Sequence, residues 1–227
     1  MTLVIAHRGA SAVRPENTVA AFVAARELGA DWVELDVRRT ADRALAIHHD
    51  AALTDGRRLM DLGAAALPDH VPSLEEALDA CSPMGVNVEI KNQPGDPDFD
   101  RAEAVAQGVA ALLDRRGSRD EVLVSSFHGP TVELVRRLAP GLPTALLVFD
   151  PGGPGIVDTV ASAGHAAFHP YESFADAELV DAAHGVGLAV NVWTCDDPQR
   201  MRELADLGVD GIVTNVPDVA RTALGPP

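Results

Sequence analysis

The chain has 227 residues, with 34 acidic side chains against 18 basic ones and a formal net charge of −16, which excludes a binder of extended nucleic acid because phosphate-backbone affinity needs clustered Lys and Arg. Hydrophobic residues make up 47% and charged residues 23% of the sequence, a globular composition that excludes a disordered chain. No stretch approaches the roughly 18–20 unbroken apolar residues that span a bilayer, and the short run before His7 lacks the signal-peptide pattern, so the expected compartment is the cytoplasm. Cys81 and Cys195 stand far apart with no metal-ligand spacing, and are expected to be reduced, buried thiols.

In chain order, β-branched runs at 3–6, 32–37, 86–90, 122–126, 144–149, 166–169, 188–194 and 211–214 predict core strands. Apolar residues at helical spacing predict helices at 18–28, 74–81, 99–115, 130–138, 155–163, 176–184, 198–207 and 217–224. Eight strand–helix units predict an α/β chain folded as a TIM (β/α)8 barrel, a single domain over residues 1–227. A ninth run, 44–48, follows Val37 too closely for a parallel crossover and should return antiparallel, as a hairpin above the barrel mouth. No repeat is read beyond the strand–helix alternation itself.

Active sites of such barrels lie at the C-terminal strand ends. Strand side chains alternate, so Glu34 and Asp36 around Leu35, and Glu89 and Lys91 around Ile90, can each face the barrel axis together. Three carboxylates converging there repel one another unless positive charge sits among them, and a hard divalent cation with oxygen ligands, Mg²⁺ or Ca²⁺, answers that need. The plainer alternative is a surface hairpin or a Glu89–Lys91 ion pair. Lys91 is the only lysine in the chain, a compact ammonium where arginine is otherwise preferred. His7 closes the first strand and His49 follows the hairpin run; two imidazoles over the cluster suit acid–base work near neutral pH. His48 should face away from His49, and His70, His128, His165 and His184 are expected to be structural. Arg8 beside a cation suggests an anionic substrate, with phosphate the anion that Arg, Lys and a divalent ion bind jointly.

The ordered set His7-Arg8-Gly9, Pro15-Glu16-Asn17-Thr18, Glu34-Leu35-Asp36, His49-Asp50, Pro72-Ser73-Leu74-Glu75-Glu76, Glu89-Ile90-Lys91, Ser125-Ser126-Phe127, Trp193-Thr194 and Gly208-Val209-Asp210-Gly211 resembles the glycerophosphodiester phosphodiesterases over nearly the whole chain. The resemblance implies a TIM barrel that hydrolyses glycerophosphodiesters to glycerol 3-phosphate and an alcohol with one divalent cation. It implies Glu34, Asp36 and Glu89 as metal ligands, and His7 and His49 as the acid–base pair. Arg8 and Lys91 would bind and polarise the phosphate, Glu16 and Asn17 would orient Arg8 or the substrate, and Trp193 would wall the pocket against the glycerol or alcohol part. Phe127 is expected to pack.

The chain departs from the family pattern in three places. Arg43 stands where the hairpin turn usually has glycine, and Asn215 follows Thr214 where aspartate is frequent, with little consequence expected. Only 21 residues, Ala51 through Val71, separate His49-Asp50 from Pro72, which predicts a reduced cap and an open mouth. An open mouth brings in a lysophospholipase D-type activity as an alternative, with Leu59, Met60, Leu62 and Leu67 offering an apolar strip, although simple packing of a short connector is preferred for them. A non-catalytic phosphate-ligand-binding barrel is the third reading. The expected partner is a small-molecule phosphodiester; the sequence leaves oligomeric state open.

Overall fold

A computed structural model describes residues 1–117 and 121–225. Its elements run β1 (Leu3–His7), α1 (Val19–Glu27), β2 (Trp32–Arg39), β3 (Leu45–Ile47), α2 (Leu74–Cys81), β4 (Gly85–Ile90), α3 (Ala104–Arg116), β5 (Val122–Ser126), α4 (Gly129–Leu138), β6 (Thr144–Val148), α5 (Gly155–Ser162), β7 (Ala167–Pro170), α6 (Ala177–Gly185), β8 (Ala189–Val192), α7 (Pro198–Asp206), β9 (Gly211–Thr214) and α8 (Pro217–Leu224). The hydrogen-bonded order β1-β9-β8-β7-β6-β5-β4-β2 closes on itself because β1 also pairs with β2. All eight of those strands are parallel, giving the TIM barrel. β3 is the predicted antiparallel return, with Val37 opposite Ile47 and Arg39 opposite Leu45.

Local chemistry sets the helix starts. The Thr18 hydroxyl accepts the Ala21 N–H, and Ser73 and Glu76 form a reciprocal capping box at α2. Asp176 and Asp197 cap α6 and α7 in the same way. The predicted helix 99–115 begins only at Ala104, a correction with a clear cause. The Asn92 side chain bonds both the N–H and the C=O of Asp100, while the Asp100 carboxylate accepts the N–H groups of Ala102 and Ala104. Glu103 is left-handed, at φ 56°. That side chain–backbone network occupies donors a helix would have needed.

The core has an outer shell between strands and helices and an inner floor inside the barrel. Leu123, Ala145 and Ala167 form the floor, with Trp32 and Ala189 packed against them. From β6 to β8 the inward positions Ala145, Ala167 and Ala189 lie opposite one another and 22 residues apart; Leu123 and Gly211 continue that spacing but are offset in register, with Ala145 opposite Ser125 and Gly211 opposite Asn191. A repeat was therefore present, carried by unit length rather than residue identity. A Cβ at Gly211 would meet Ile5 Cδ1 at 2.7 Å, so the last unit has no side chain at that place.

Residues 51–71 contain only two single 3₁₀ turns, at Leu59–Asp61 and Ala64–Ala66, so the cap is reduced as expected. Leu59, Leu62 and Leu67 pack with Ala46, Leu53 and Val71 into a small cluster of their own, which is the connector packing and not a strip along the mouth. Cys81 and Cys195 are buried and no disulfide joins them. Among the described residues no helix is long and apolar enough to cross a membrane.

One buried ion pair ties two mouth loops together. Arg38 Nη1 donates to both Asp98 oxygens at 2.6 and 2.7 Å, and Arg38 Nε donates to the His49 carbonyl at 2.7 Å. Both side chains are only 5% exposed. Removing Asp98 leaves the buried Arg38 with Asp96 as its counter-charge, 3.5 Å from Nη2, so Asp98→Ala is expected to lower stability by about 2–3 kcal/mol in urea unfolding. A loss below about 1 kcal/mol would mean that water already screens the pair.

Candidate active site

The C-terminal ends of β1, β2 and β4 meet side by side, with His7 opposite Glu34 and Asp36 opposite Glu89. One carboxylate oxygen from each of Glu34, Asp36 and Glu89 lies within 4.8 Å of the others, and all three residues are buried. The alternation of side chains along β2 and β4 thus brings the three acids together. The ion-pair alternative is also present: Lys91 Nζ lies 2.8 Å from Glu89 Oε1 and 3.3 Å from Asp36 Oδ1. Arg8 joins from β1, with Nε 3.1 Å from Asp36 Oδ2 and Nη1 3.0 Å from Glu16.

The backbone here is bent to purpose. Arg8 and Asn17 are left-handed at φ 56°, conformations that L-residues hold only where surrounding contacts fix them. The Arg8 N–H donates to Glu34 Oε2 at 3.1 Å, and the Asn17 N–H donates to the Arg8 carbonyl at 2.9 Å. Gly9 follows at φ 81°, where a Cβ would sit 2.6 Å from the Ala21 carbonyl carbon, so the turn needs glycine. Asn17 gives its side chain to Asp36, with Nδ2 donating to Oδ2 at 2.8 Å and Oδ1 accepting the Asp36 N–H at 3.2 Å. Glu16, by contrast, meets Arg8, whose Nη1 donates to both Glu16 oxygens at 3.0 Å.

Charge in the cluster is incompletely balanced. Burial, then Asp36 and Glu89, push the Glu34 carboxyl well above the usual carboxylate range. Burial also raises Glu89 despite Lys91 beside it. Asp36 sits low because Lys91 and Arg8 outweigh its burial. Two cations face three buried acids, and Glu34 Oε1 is buried with no hydrogen-bond partner. An all-oxygen donor set with one unpaired buried oxygen fits a hard divalent cation, and such an ion would turn the local charge positive.

His7 Nε2 is 3.9 Å from Glu34 Oε2, and its Nδ1 is 2.7 Å from Asn215 Oδ1. Burial and the neighbouring Arg8 lower its pKa. His49, also lowered chiefly by burial, places Nδ1 2.9 Å from Asp50 Oδ1. A cavity of about 340 Å³ opens beside it, lined by His49, Glu16, Asn17, His48, His70 and Leu53 among others. The three carboxylates do not line this cavity, so it flanks the cluster. His48 also lines the cavity, with its Nδ1 2.9 Å from the Asp50 carbonyl oxygen. His70 lines it as well, whereas His128, His165 and His184 bond Thr131, Thr144 and Asp210 as structural histidines do.

The opposite side of the mouth is aromatic. Phe127, Phe149, Tyr171 and Trp193 each follow the last residue of β5, β6, β7 and β8, again 22 residues apart. Phe149 stacks on Tyr171 at 4.9 Å, and Phe127 meets Trp193 edge-on at 5.2 Å. Trp193 Nε1 donates to the His169 carbonyl at 2.9 Å. Trp193 therefore packs within a wall whose outer members, Phe149 at 59% and Phe174 at 37% exposure, face solvent. Sequence reading found Trp193 and Phe127 but missed the other two, although the period pointed to them. It also missed fully buried His169, whose pKa burial pushes down to about 3.

Fold and cluster together define a parallel-barrel protein with an acidic pocket fit for a metal ion and paired cations fit for an anion. Residues 7–219 match the model of the glycerophosphoryl diester phosphodiesterase family. A glycerophosphodiester phosphodiesterase of Bacillus altitudinis is 31% identical over 97% of this chain and 97% of its own length. One from Caldanaerobacter subterraneus subsp. tengcongensis is 30% identical, covering 96% and 95%. Among solved structures, an Oleispira antarctica phosphodiesterase in complex with its product sn-glycerol-3-phosphate superimposes with a TM-score of 0.89 at 26% identity, covering 99% of this chain and 97% of that one. The chain belongs to the glycerophosphoryl diester phosphodiesterase family and is a phosphoric diester hydrolase.

Proposed function

We propose that this chain hydrolyses glycerophosphodiesters, such as glycerophosphocholine or glycerophosphoethanolamine, to glycerol 3-phosphate and an alcohol. The observation that carries the reading is the buried carboxylate triad with its unpaired Glu34 oxygen, set against Arg8 and Lys91. Glu34, Asp36 and Glu89 would hold one Mg²⁺ or Ca²⁺, which when bound supplies positive charge next to the phosphate oxygens. Arg8 and Lys91 bind the phosphate and stabilise the charge that gathers on its oxygens in the transition state. One of His7 and His49 takes the proton of the attacking glycerol 2-hydroxyl as its oxygen bonds to phosphorus; the other gives a proton to the departing alcohol as its P–O bond breaks. Water then opens the resulting cyclic phosphate with the two proton-transfer roles reversed. Glu16 holds Arg8, Asn17 holds Asp36, and Trp193 walls the side where the alcohol part lies. The whole activity is assigned to one domain, residues 1–227.

The test is glycerol 3-phosphate release from glycerophosphocholine with Mg²⁺, with Ca²⁺ and with EDTA. Release with either ion and none under chelation is expected. Undiminished release after strict chelation, or none with any divalent ion, would remove the reading. A lysophospholipase D-type activity gains support from one observation, the exposed Phe149 and Phe174 at an open mouth, and choline release from lysophosphatidylcholine in the same assay measures it. The non-catalytic reading is set aside by the family assignment.

A further inference from the structure

The surroundings of Asn215 form a closed network. Asp196 Oδ1 accepts from the Thr214 hydroxyl and from the Asn215 N–H, both at 2.8 Å, and Asp196 Oδ2 accepts from Asn215 Nδ2 at 2.7 Å. A carboxylate can only accept, so the amide nitrogen of Asn215 must face Asp196 and its carbonyl oxygen must face away. That oxygen accepts from the Ser11 hydroxyl at 2.8 Å and lies 2.7 Å from His7 Nδ1. A carbonyl oxygen cannot donate, so the hydrogen between them belongs to His7 Nδ1.

We propose that Asn215, aimed by Asp196, is a positioning residue that holds His7 as its Nδ1–H tautomer and presents the Nε2 lone pair to the carboxylate pocket. Nε2 is the ring nitrogen nearer Glu34, so the nitrogen on the reacting side is the one left able to take a proton. The inference rests on the acid–base reading of His7 for its functional half. It also gives the Thr214-Asn215 departure a physical sense: an aspartate at 215 would set two carboxylates 2.7 Å apart, and they would repel. Amide and carboxylate are thus one unit, and either member can hold His7 provided the other is its opposite.

Two measurements test it. Ring nitrogen NMR of His7 in the metal-free protein, which needs no variant and no turnover, should show Nδ1–H in the wild type, and Nε2–H should grow in Asn215→Ala. In kinetics, Asn215→Ala and Asn215→Asp should each lower kcat by ~100-fold, the scale of one misplaced proton-transfer group, with KM changed less than about threefold. Exchanging the pair in Asn215→Asp/Asp196→Asn should keep Nδ1–H on His7 and recover most of the kcat lost in Asn215→Asp, which a merely structural role would not require. A wild-type His7 carrying Nε2–H, an unchanged tautomer in Asn215→Ala, or a double variant no better than Asn215→Asp would overturn the proposal. Turnover that survives His7→Ala overturns the acid–base reading instead, and the tautomer measurement still decides the positioning.

Discussion

Glu34→Gln is expected to reduce turnover by about 10³-fold or more and to abolish the thermal stabilisation given by Mg²⁺ or Ca²⁺, since charge stabilisation by the ion depends on its carboxylate ligands. The same substitution should make the metal-free protein more stable, on the order of 1–3 kcal/mol, because it removes a buried charge that neighbouring charges oppose. The sign follows from the site: burial, Asp36 and Glu89 all disfavour a charged Glu34, and its Oε1 has no donor. Paired melts with and without the divalent ion check both halves. A variant that loses stability in EDTA would show that Glu34 is held by contacts that glutamine cannot replace, and a retained metal shift would remove Glu34 from the ligand set.

His7→Ala and His49→Ala should each lower kcat by about 10³-fold, within the range for loss of a positioned acid or base, while the divalent-ion thermal shift stays near the wild-type value. The separation is expected because the two imidazoles approach the cluster from its rim: His7 is 3.9 Å from Glu34 Oε2, and His49 is fixed through Asp50 and through Arg38 on its carbonyl. Titrating each variant with Mg²⁺ or Ca²⁺ and measuring product release at saturation decides it. A variant with near-normal rate takes that histidine out of the reaction.

The strands, the barrel and the carboxylate cluster were legible because each depends on short-range rules. Alternation around Leu35 and Ile90 put Glu34, Asp36 and Glu89 on one side, and six residues between Val37 and Ala44 allowed only a hairpin. What escaped was held by contacts between distant residues. The seat of His49 depends on Arg38 meeting Asp98 60 positions away, and the orientation of His7 on Asn215, 208 positions away; the delayed start of α3 is instead local, set by the side chain–backbone bonds of Asn92 and Asp100. Leu59, Leu62 and Leu67 pack as expected because a short segment rich in leucine needs a core of its own, whereas Met60 stands outside their cluster. The aromatic wall escaped for another reason: its period was visible, but the contacts that join its members cross from one strand–helix unit to the next.

That wall has a consequence for how the enzyme can change. The residues placed on the phosphate chemistry come from β1, β2, β4 and the hairpin loop, whereas the wall comes one aromatic per unit from β5 to β8. Because those units are equal in length, each wall position sits just past the end of its strand. Substitution of Phe149 or Tyr171 is expected to change the surface that an incoming molecule meets while leaving the carboxylate cluster of Glu34, Asp36 and Glu89 in place.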